Sequence, residues 1–336
     1  MLDLIGFGDT LSRQLYATFN PSSPYGAPAL IGALLFTIAF YVYHRRRYGR
    51  PTSFEDFLAT IFPKRLIWHP SSRLDMRLWL LNALVLASAY SLLAISGFAT
   101  RDVVVGALTK LFGAHAPVAA PVAIVFGVTT ILELLAYELA YWFGHFLFHR
   151  YNWLWEFHKV HHSAEVMTTF TEMRQHPVEI LAFVNLIALA TGIVFGVMTY
   201  VFGPGVRPFT LLNCNIGLML FLLTYGHLRH SHIWIAFRGL PGKLLQSPAH
   251  HQLHHSDNPL HWDKNLGFCL AVWDWAFGTL YIPQYRREDI TFGVGPEKAD
   301  FRTVGGNFIM PFVHSWEHVS RWAKRPGAAV GARLGH

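Results

Sequence analysis

The sequence predicts an all-α integral membrane protein of about five membrane-spanning or hairpin helices, with a cytoplasmic cap of histidine-rich helices. Three observations predict it. Of the 336 residues, 52% are hydrophobic and only 14% are charged, where soluble domains carry about 25% charged residues. Apolar runs long enough for a bilayer core, about 20 residues each, recur at roughly 27–43, 78–98, 120–147, 180–202 and 208–226. The basic residues are segregated as well: 23 of the 27 Lys and Arg lie in 44–77, 149–177 and 227–336.

The elements follow in chain order. The start, "MLDLIGFGDTLSRQLYATFN", has no basic region ahead of an apolar run, so it does not read as a cleaved signal; a short interfacial helix is expected there. The run 27–43 ends in "HRRRYGR", and only Arg13, Arg101, Lys110 and Arg207 mark the opposite side. The positive-inside rule puts the rich side in the cytoplasm. That gives an outer N-terminus, five crossings and an inner C-terminus. Runs 180–202 and 208–226 are joined by "GPGVRP", a turn that Gly and Pro permit. Whether they cross singly or as a hairpin on one face, the histidines stay on one side. Cys214 and Cys269 read as small packing residues and exclude a disulfide framework or a cysteine-based zinc module. The net charge of +7 follows the membrane segments and forms no soluble basic face, so no nucleic-acid partner is expected.

Fourteen of the 20 histidines fall between 145 and 261, in groups. His145 and His149, four apart, share a helical face at the last turn of the third run. That run is too long for the hydrocarbon core, so its end projects into the cytoplasmic interface. His158-x-x-His161-His162 and His251-x-x-His254-His255 repeat one form, and a single helical turn can offer all three imidazoles. Ser247 and Pro248 supply an N-cap and a first helical residue for the second of these. His227, His230 and His232 form a looser group, and His176 stands in "QHPVE". Imidazole suits Fe, Zn, Cu and Ni, and this many ligands exceeds one closed four-ligand site, so a polynuclear centre is expected. His44, His69, His115 and His336 read as surface or interface residues, and His232, His250 and His261 stand at even odds between ligand and packing residue. His314-x-x-x-His318 lies in an amphipathic segment, "PFVHSWEHVSRW", expected on the membrane surface rather than at the metal. Glu138, seven residues before His145 and deeper in the run, is a candidate to orient that ring. Asp257, Asp263 and Asp274 are candidates around the last group, each equally readable as a cap or a surface charge.

The ordered series His145-x3-His149, His158-x2-His161-His162, His176-Pro177 and His251-x2-His254-His255 resembles the fatty acid hydroxylase/sterol desaturase superfamily. "SPAHHQLHHSDNPLHWDKNLGFCLAVWDWAFGTLYIP" is similar to its C-terminal signature, including Asp263, Lys264 and Asn265. The resemblance covers about 125–285. It implies a catalytic domain at 121–285, behind an N-terminal membrane region at 1–120 and ahead of a cytoplasmic tail at 286–336. It also implies two non-haem iron ions held by His145, His149, His158, His161, His162, His251, His254 and His255, with His227 and His230 between the boxes. His176, His232, His250, Glu138, Asp263 and Asn265 are candidates to support or join that set.

The implied reaction is O2-dependent oxidation of C–H bonds in a membrane lipid, a fatty acyl or sterol-like hydroxylation; desaturation and ether cleavage are the alternatives within the family. The chain shows no cytochrome b5-like segment, flavin motif or GxGxxG, so electrons are expected from an external donor such as a cytochrome b5-like protein, a ferredoxin or a reductase. "YNWLW" and "WDWAF" are read either as an acyl channel or as interfacial anchors. A histidine-rich metal transporter or sensor is the competing class. Transporters hold their ligands near the bilayer midplane, and here the histidines cluster at run ends.

Overall fold

A computed structural model describes residues 26–83, 90 and 92–324. The expected interfacial segment at the N-terminus, residues 84–89 and 91 of the run 78–98, and Arg13 and His336 lie outside the described residues. The fold is mostly helical. Helices α1 (Ala27–Arg47), α2 (Phe54–Ile61), α3 (Pro70–Leu81), α4 (Gly97–Phe112), α5 (Val122–Arg150), α6 (Asn152–His162) and α7 (Pro177–Phe202) are followed by a two-stranded hairpin, β1 (Thr210–Leu211) and β2 (Cys214–Asn215). Then come α8 (Ile216–Leu222), α9 (Pro248–His254), α10 (Val272–Phe277) and α11 (Val304–Ala323).

Three of these, α1, α5 and α7, are long and apolar enough to cross a membrane. The 29 residues of α5 reach about 43 Å at ~1.5 Å each, well beyond a ~30 Å hydrocarbon core. Helices α5 and α7 run antiparallel: Val125 packs with Met198 at one end, and Phe148 with Phe183 at the other. His176 starts α7 by accepting the Val178 N–H on Nδ1, with Pro177 as the first helical residue.

One expectation needs correction. Residues 208–226 do not form one spanning helix. Strands β1 and β2 pair Thr210 with Asn215 and Leu211 with Cys214, around a tight turn in which Leu212 and Asn213 take positive φ. Phe209 N–H donates to Thr130 Oγ1 at 2.7 Å, and Asn215 Nδ2 to the Thr130 carbonyl at 2.9 Å, so the hairpin sits beside α5 inside its length. The seven-residue α8 then carries the chain back toward the histidines. Apolarity alone cannot tell this arrangement from a helix, because backbone of any shape is tolerated there once protein satisfies its polar groups.

The segment after 98 forms a helix. Helix α4 lies along the second half of α7, parallel to it. A Cβ added at Gly192 would lie 2.6 Å from Thr100 Cβ, and one at Gly196 2.6 Å from Val104 Cβ. These two glycines, four apart, are what lets α4 approach so closely. The chain breaks just before α4. There Asn185 of α7 accepts the Ile95 N–H at 2.6 Å and donates to the Leu93 carbonyl at 3.4 Å, and Ser96 caps α4 by accepting the Ala99 N–H.

The remaining elements gather at the C-terminal end of α5. Helix α1 packs on α8 where Gly32 meets the Leu223 carbonyl. Arg45 pairs with Asp56 of α2 at 2.6 Å. Helix α11 lies against α6, with Phe312 on Phe157 and His176, while Ile309, Trp316 and Trp322 are exposed.

Candidate metal centre

Two groups of imidazoles form where α5, α6, α9 and the 226–230 turn converge. His145, His149, His158, His162 and His254 offer ligand atoms that lie within 4.8 Å of one another, and so do His161, His230, His251 and His255. All nine residues are buried. Local sequence explains the arrangement. His145 and His149 share the last turns of α5, and a short bend at Tyr151 starts α6, whose three histidines face back. Ser247 caps α9 by accepting the His250 N–H, with Pro248 at its first position, as the sequence predicts. The two groups adjoin: the His162 ring stacks on His255 with centroids 4.5 Å apart.

The ring nitrogens show what the site can take. His145 Nδ1 lies 2.7 Å from the Leu266 carbonyl, which can only accept its hydrogen, and His158 Nδ1 lies 2.8 Å from Glu179 Oε1, which takes its hydrogen when Glu179 is ionised. Burial holds His158 down to about 3 and His161 down to about 4, so both are neutral at pH 7. His162, His230, His251, His254 and His255 are pushed well below the usual imidazole range, by burial first and then by neighbouring charged groups, chiefly the other imidazoles. The Nε2 atoms of His145 and His158 are 2.9 Å apart, and His162 Nε2 is 3.0 Å from His158 Nε2. With both Nδ1 atoms donating, no neutral tautomer puts a hydrogen between the first two. Lone pair faces lone pair, an arrangement that a metal cation satisfies. His254 repeats the pattern: Nδ1 bonds the Lys264 carbonyl at 2.8 Å, while Nε2 is buried with no hydrogen-bond partner among the described residues.

In the second group, His161 gives its Nδ1 hydrogen to the Arg174 carbonyl at 3.2 Å. The Nε2 atoms then run in a chain, His161 to His230 at 3.0 Å, His230 to His251 at 2.7 Å and His251 to His255 at 3.1 Å. Both donor sets are all-imidazole and fit iron or another ion of that class.

The other predicted residues fall outside these groups. His227 faces Glu172, with Nδ1 3.7 Å from Oε2, and joins neither. His232 bonds the Thr60 carbonyl through Nε2 at 2.6 Å. His250 contacts the Ser247 hydroxyl at 2.6 Å, and His176 Nε2 reaches the Phe308 carbonyl at 3.3 Å. His261 lies 3.7 Å from Glu288. His314 and His318 both face Glu156, at 3.3 and 3.2 Å. Asp263, with positive φ, places Oδ1 3.0 Å from His149 Nδ1. Asn265, also at positive φ, bridges the His250 carbonyl and the Tyr281 N–H. Asp257 bonds Thr291, whereas Asp274 is fully buried and accepts from Trp142, Gln246, Thr279 and the backbone of Leu266 and Gly267. Burial raises the Asp274 carboxyl despite those donors.

Sequence reasoning missed Glu179, Glu172, Arg174 and Arg229. Glu179 carried a signal: it is a carboxylate in the first turn of an apolar run, where an ionisable group is expected to face protein. Arg229, buried, donates to Glu172 at 3.1 Å and covers the Phe268 ring at 4.0 Å. Its charge helps hold the Glu172 carboxyl low, together with His227. A cavity of about 360 Å³ reaches the groups, lined by His149, His162, His254, His255, Trp155 and Lys159 together with loop 293–297.

Residues 130–279 match the fatty acid hydroxylase family. Over 148 residues the chain is 28% identical to an alkylglycerol monooxygenase of Danio rerio, covering 44% of this chain and 29% of that protein. It is 27% identical over 160 residues to the Homo sapiens alkylglycerol monooxygenase, covering 48% of this chain and 32% of that one. To the Homo sapiens cholesterol 25-hydroxylase it is 28% identical over 148 residues, covering 44% of this chain and 49% of that one. The match thus spans less than a third of the alkylglycerol monooxygenases. No solved structure matches.

Proposed function

Since the chain belongs to the fatty acid hydroxylase/sterol desaturase superfamily, we propose that it is a membrane-bound, O2-dependent oxidoreductase that hydroxylates C–H bonds of a lipid, with 121–285 as its catalytic domain. The observation that carries the proposal is the pair of adjoining, buried imidazole groups whose Nε2 atoms face one another. Two irons are the cofactor, the first held by His145, His149, His158, His162 and His254 and the second by His161, His230, His251 and His255. A metal pair bound there supplies the chemistry that turns O2 and two electrons against an unactivated C–H bond.

The chain's own residues do the rest. Glu179, Asp263 and the carbonyls of Leu266, Lys264 and Arg174 fix the ring orientations. Tyr141, Phe183 and Phe268 pack together next to His145 and form the apolar wall along which a lipid chain would lie. The cavity lined by Trp155, Lys159, Asp257, Asp263 and Glu297 is the route by which protons and electrons from an external donor would reach the groups. Basic-residue asymmetry supports a cytoplasmic metal site and C-terminus, with α11 at the interface. The names of the relatives, a monooxygenase and a hydroxylase, favour oxygen insertion over desaturation. Ligands at helix ends, not at mid-helix breaks, favour an enzyme over a transporter.

The test is lipid mass spectrometry on cells expressing the wild type or His161→Ala under labelled O2. The expected result is labelled oxygen in one lipid class with the wild type only, and bound iron lowered in the purified variant. Full iron and full activity in His161→Ala would sink the ligand assignment. Loss of an alkyl chain would identify ether cleavage.

A further inference from the structure

Glu138 lies two turns before His145 on α5, with no solvent exposure. Its carboxylate touches no imidazole. Instead it accepts three successive backbone N–H groups, from Phe268 at 3.3 Å, Cys269 at 3.0 Å and Leu270 at 3.0 Å. These belong to the non-helical stretch 265–270, which carries N–H groups that no secondary structure satisfies. The stretch is tight: a Cβ at Gly267 would fall 2.2 Å from the Leu270 carbonyl. Asp274 holds its other side, accepting the Leu266 and Gly267 N–H groups at 2.8 Å each. Between the two carboxylates, the Leu266 carbonyl points at His145 Nδ1 from 2.7 Å.

We infer that Glu138 is a positioning residue for the first metal group, acting through the 266–270 backbone to set the tautomer and rotation of His145. This deepens the metal-centre reading and rests on it. A carboxylate is needed because three N–H groups converge on it. All three N–H groups reach Oε2, and the Cys269 N–H reaches Oε1 as well; glutamine keeps one oxygen for them but turns its NH2 toward the Cys269 hydrogen, so the loop has to shift there. The Leu266 carbonyl then leaves His145, and the ring is free to present the wrong nitrogen. Loss of a partner that orients a ligand typically costs 10–100-fold in metal affinity.

The experiment titrates full-length, metal-free protein in lipid nanodiscs with Co(II), reading affinity and the visible Co(II) bands. It compares wild type, Glu138→Gln, His145→Ala and the double variant, and records the Tm of each metal-free form. Glu138→Gln should weaken one of two bound ions by about 10–100-fold and shift its bands, beyond any change in Tm. In the His145→Ala background the same substitution should add less than about twofold, because the ring it serves is gone. An undiminished loss in that background, or wild-type affinity and bands in Glu138→Gln, overturns the inference and leaves the metal-centre reading standing. If Glu138→Gln does not fold, Glu138→Asp, which keeps the charge with a shorter reach, should show an intermediate loss; wild-type binding there also overturns it. A wild-type chain that takes up no Co(II) defeats the metal-centre reading itself, and this inference with it.

Discussion

The two imidazole groups are built differently. In the first, four of five rings have the second nitrogen tied: His145 to Leu266, His149 to Asp263, His158 to Glu179 and His254 to Lys264. In the second, His161 is tied to the Arg174 carbonyl, while the Nδ1 atoms of His230 and His251 have no hydrogen-bond partner among the described residues. Two features add to the contrast. The first group lines the cavity through three of its rings, the second through His255 alone. After burial, the Arg229 guanidinium lowers His161, His230 and His251 of the second group and His254 of the first. Hydrogen bonds orient the first group, then, and packing orients the second. The first should respond to loss of a single acceptor where the second does not.

The largest effect expected from that contrast is at Glu179. Glu179→Gln keeps an oxygen near His158 Nδ1 but replaces the carboxylate that can hold the hydrogen there with a weaker amide acceptor. Affinity of the first group for Fe(II) or Co(II) should fall by about 10–100-fold, with the second changed less than twofold. A titration resolving the two ions checks it, and equal losses at both sites would break the contrast.

Acid should act on both groups and sharpens the comparison more weakly. In the unfolded chain these imidazoles take up protons below about 6.5. In the metal-free fold His161 resists to about 4 and His158 to about 3, because burial penalises the charged ring. Between those limits the unfolded state binds more protons, so stability is fully present above about 6.5 and drains away as pH falls toward 4. The Tm of the metal-free protein should therefore drop over that window and stay level from pH 7 to 8. Bound metal should delay the drop, since it competes with the same protons. A metal-free Tm that is flat from 6.5 to 4 would contradict the burial argument.

How much of this was legible in the sequence depends on the distance between partners. The HxxHH spacings gave both three-histidine turns, because a helix fixes i, i+3 and i+4 locally. Ser247 and Pro248 announced α9 for the same reason. The choice among His227, His230 and His232 was not legible. It turns on a short 3-10 turn, Gly226–Leu228, that follows α8, and spacing in irregular backbone carries no face. Glu179 was passed over because its partner His158 is 21 residues away across a helix bend. The break before α4 is set by Asn185, 90 residues from Ile95, so no local signal marks it. Residues 208–226 were as apolar as a span, and hydropathy does not report that Thr130 satisfies the backbone there. Local geometry was readable; pairings across the fold were not.

The smallest effect is expected where the sequence offered a metal-like spacing that the structure employs otherwise. His314, Glu156 and Glu297 bring ligand atoms together as a metal site would. A cation is already there: Lys159 Nζ lies 2.6 Å from Glu156 Oε2 and also bonds Glu297. His314 Nδ1 sits 3.3 Å from Glu156, on a side chain that is 21% exposed. Partly exposed pairs of this kind contribute about 0–1 kcal/mol, and Glu156 keeps its lysine when the ring is removed. His314→Ala should leave bound iron and lipid oxidation within about twofold of wild type, and lower the Tm by a degree or two at most. Metal analysis and turnover on the purified variant check this. Loss of one ion per chain would show that the α6–α11 contact is a third metal site, and that Lys159 has taken the place of its ion.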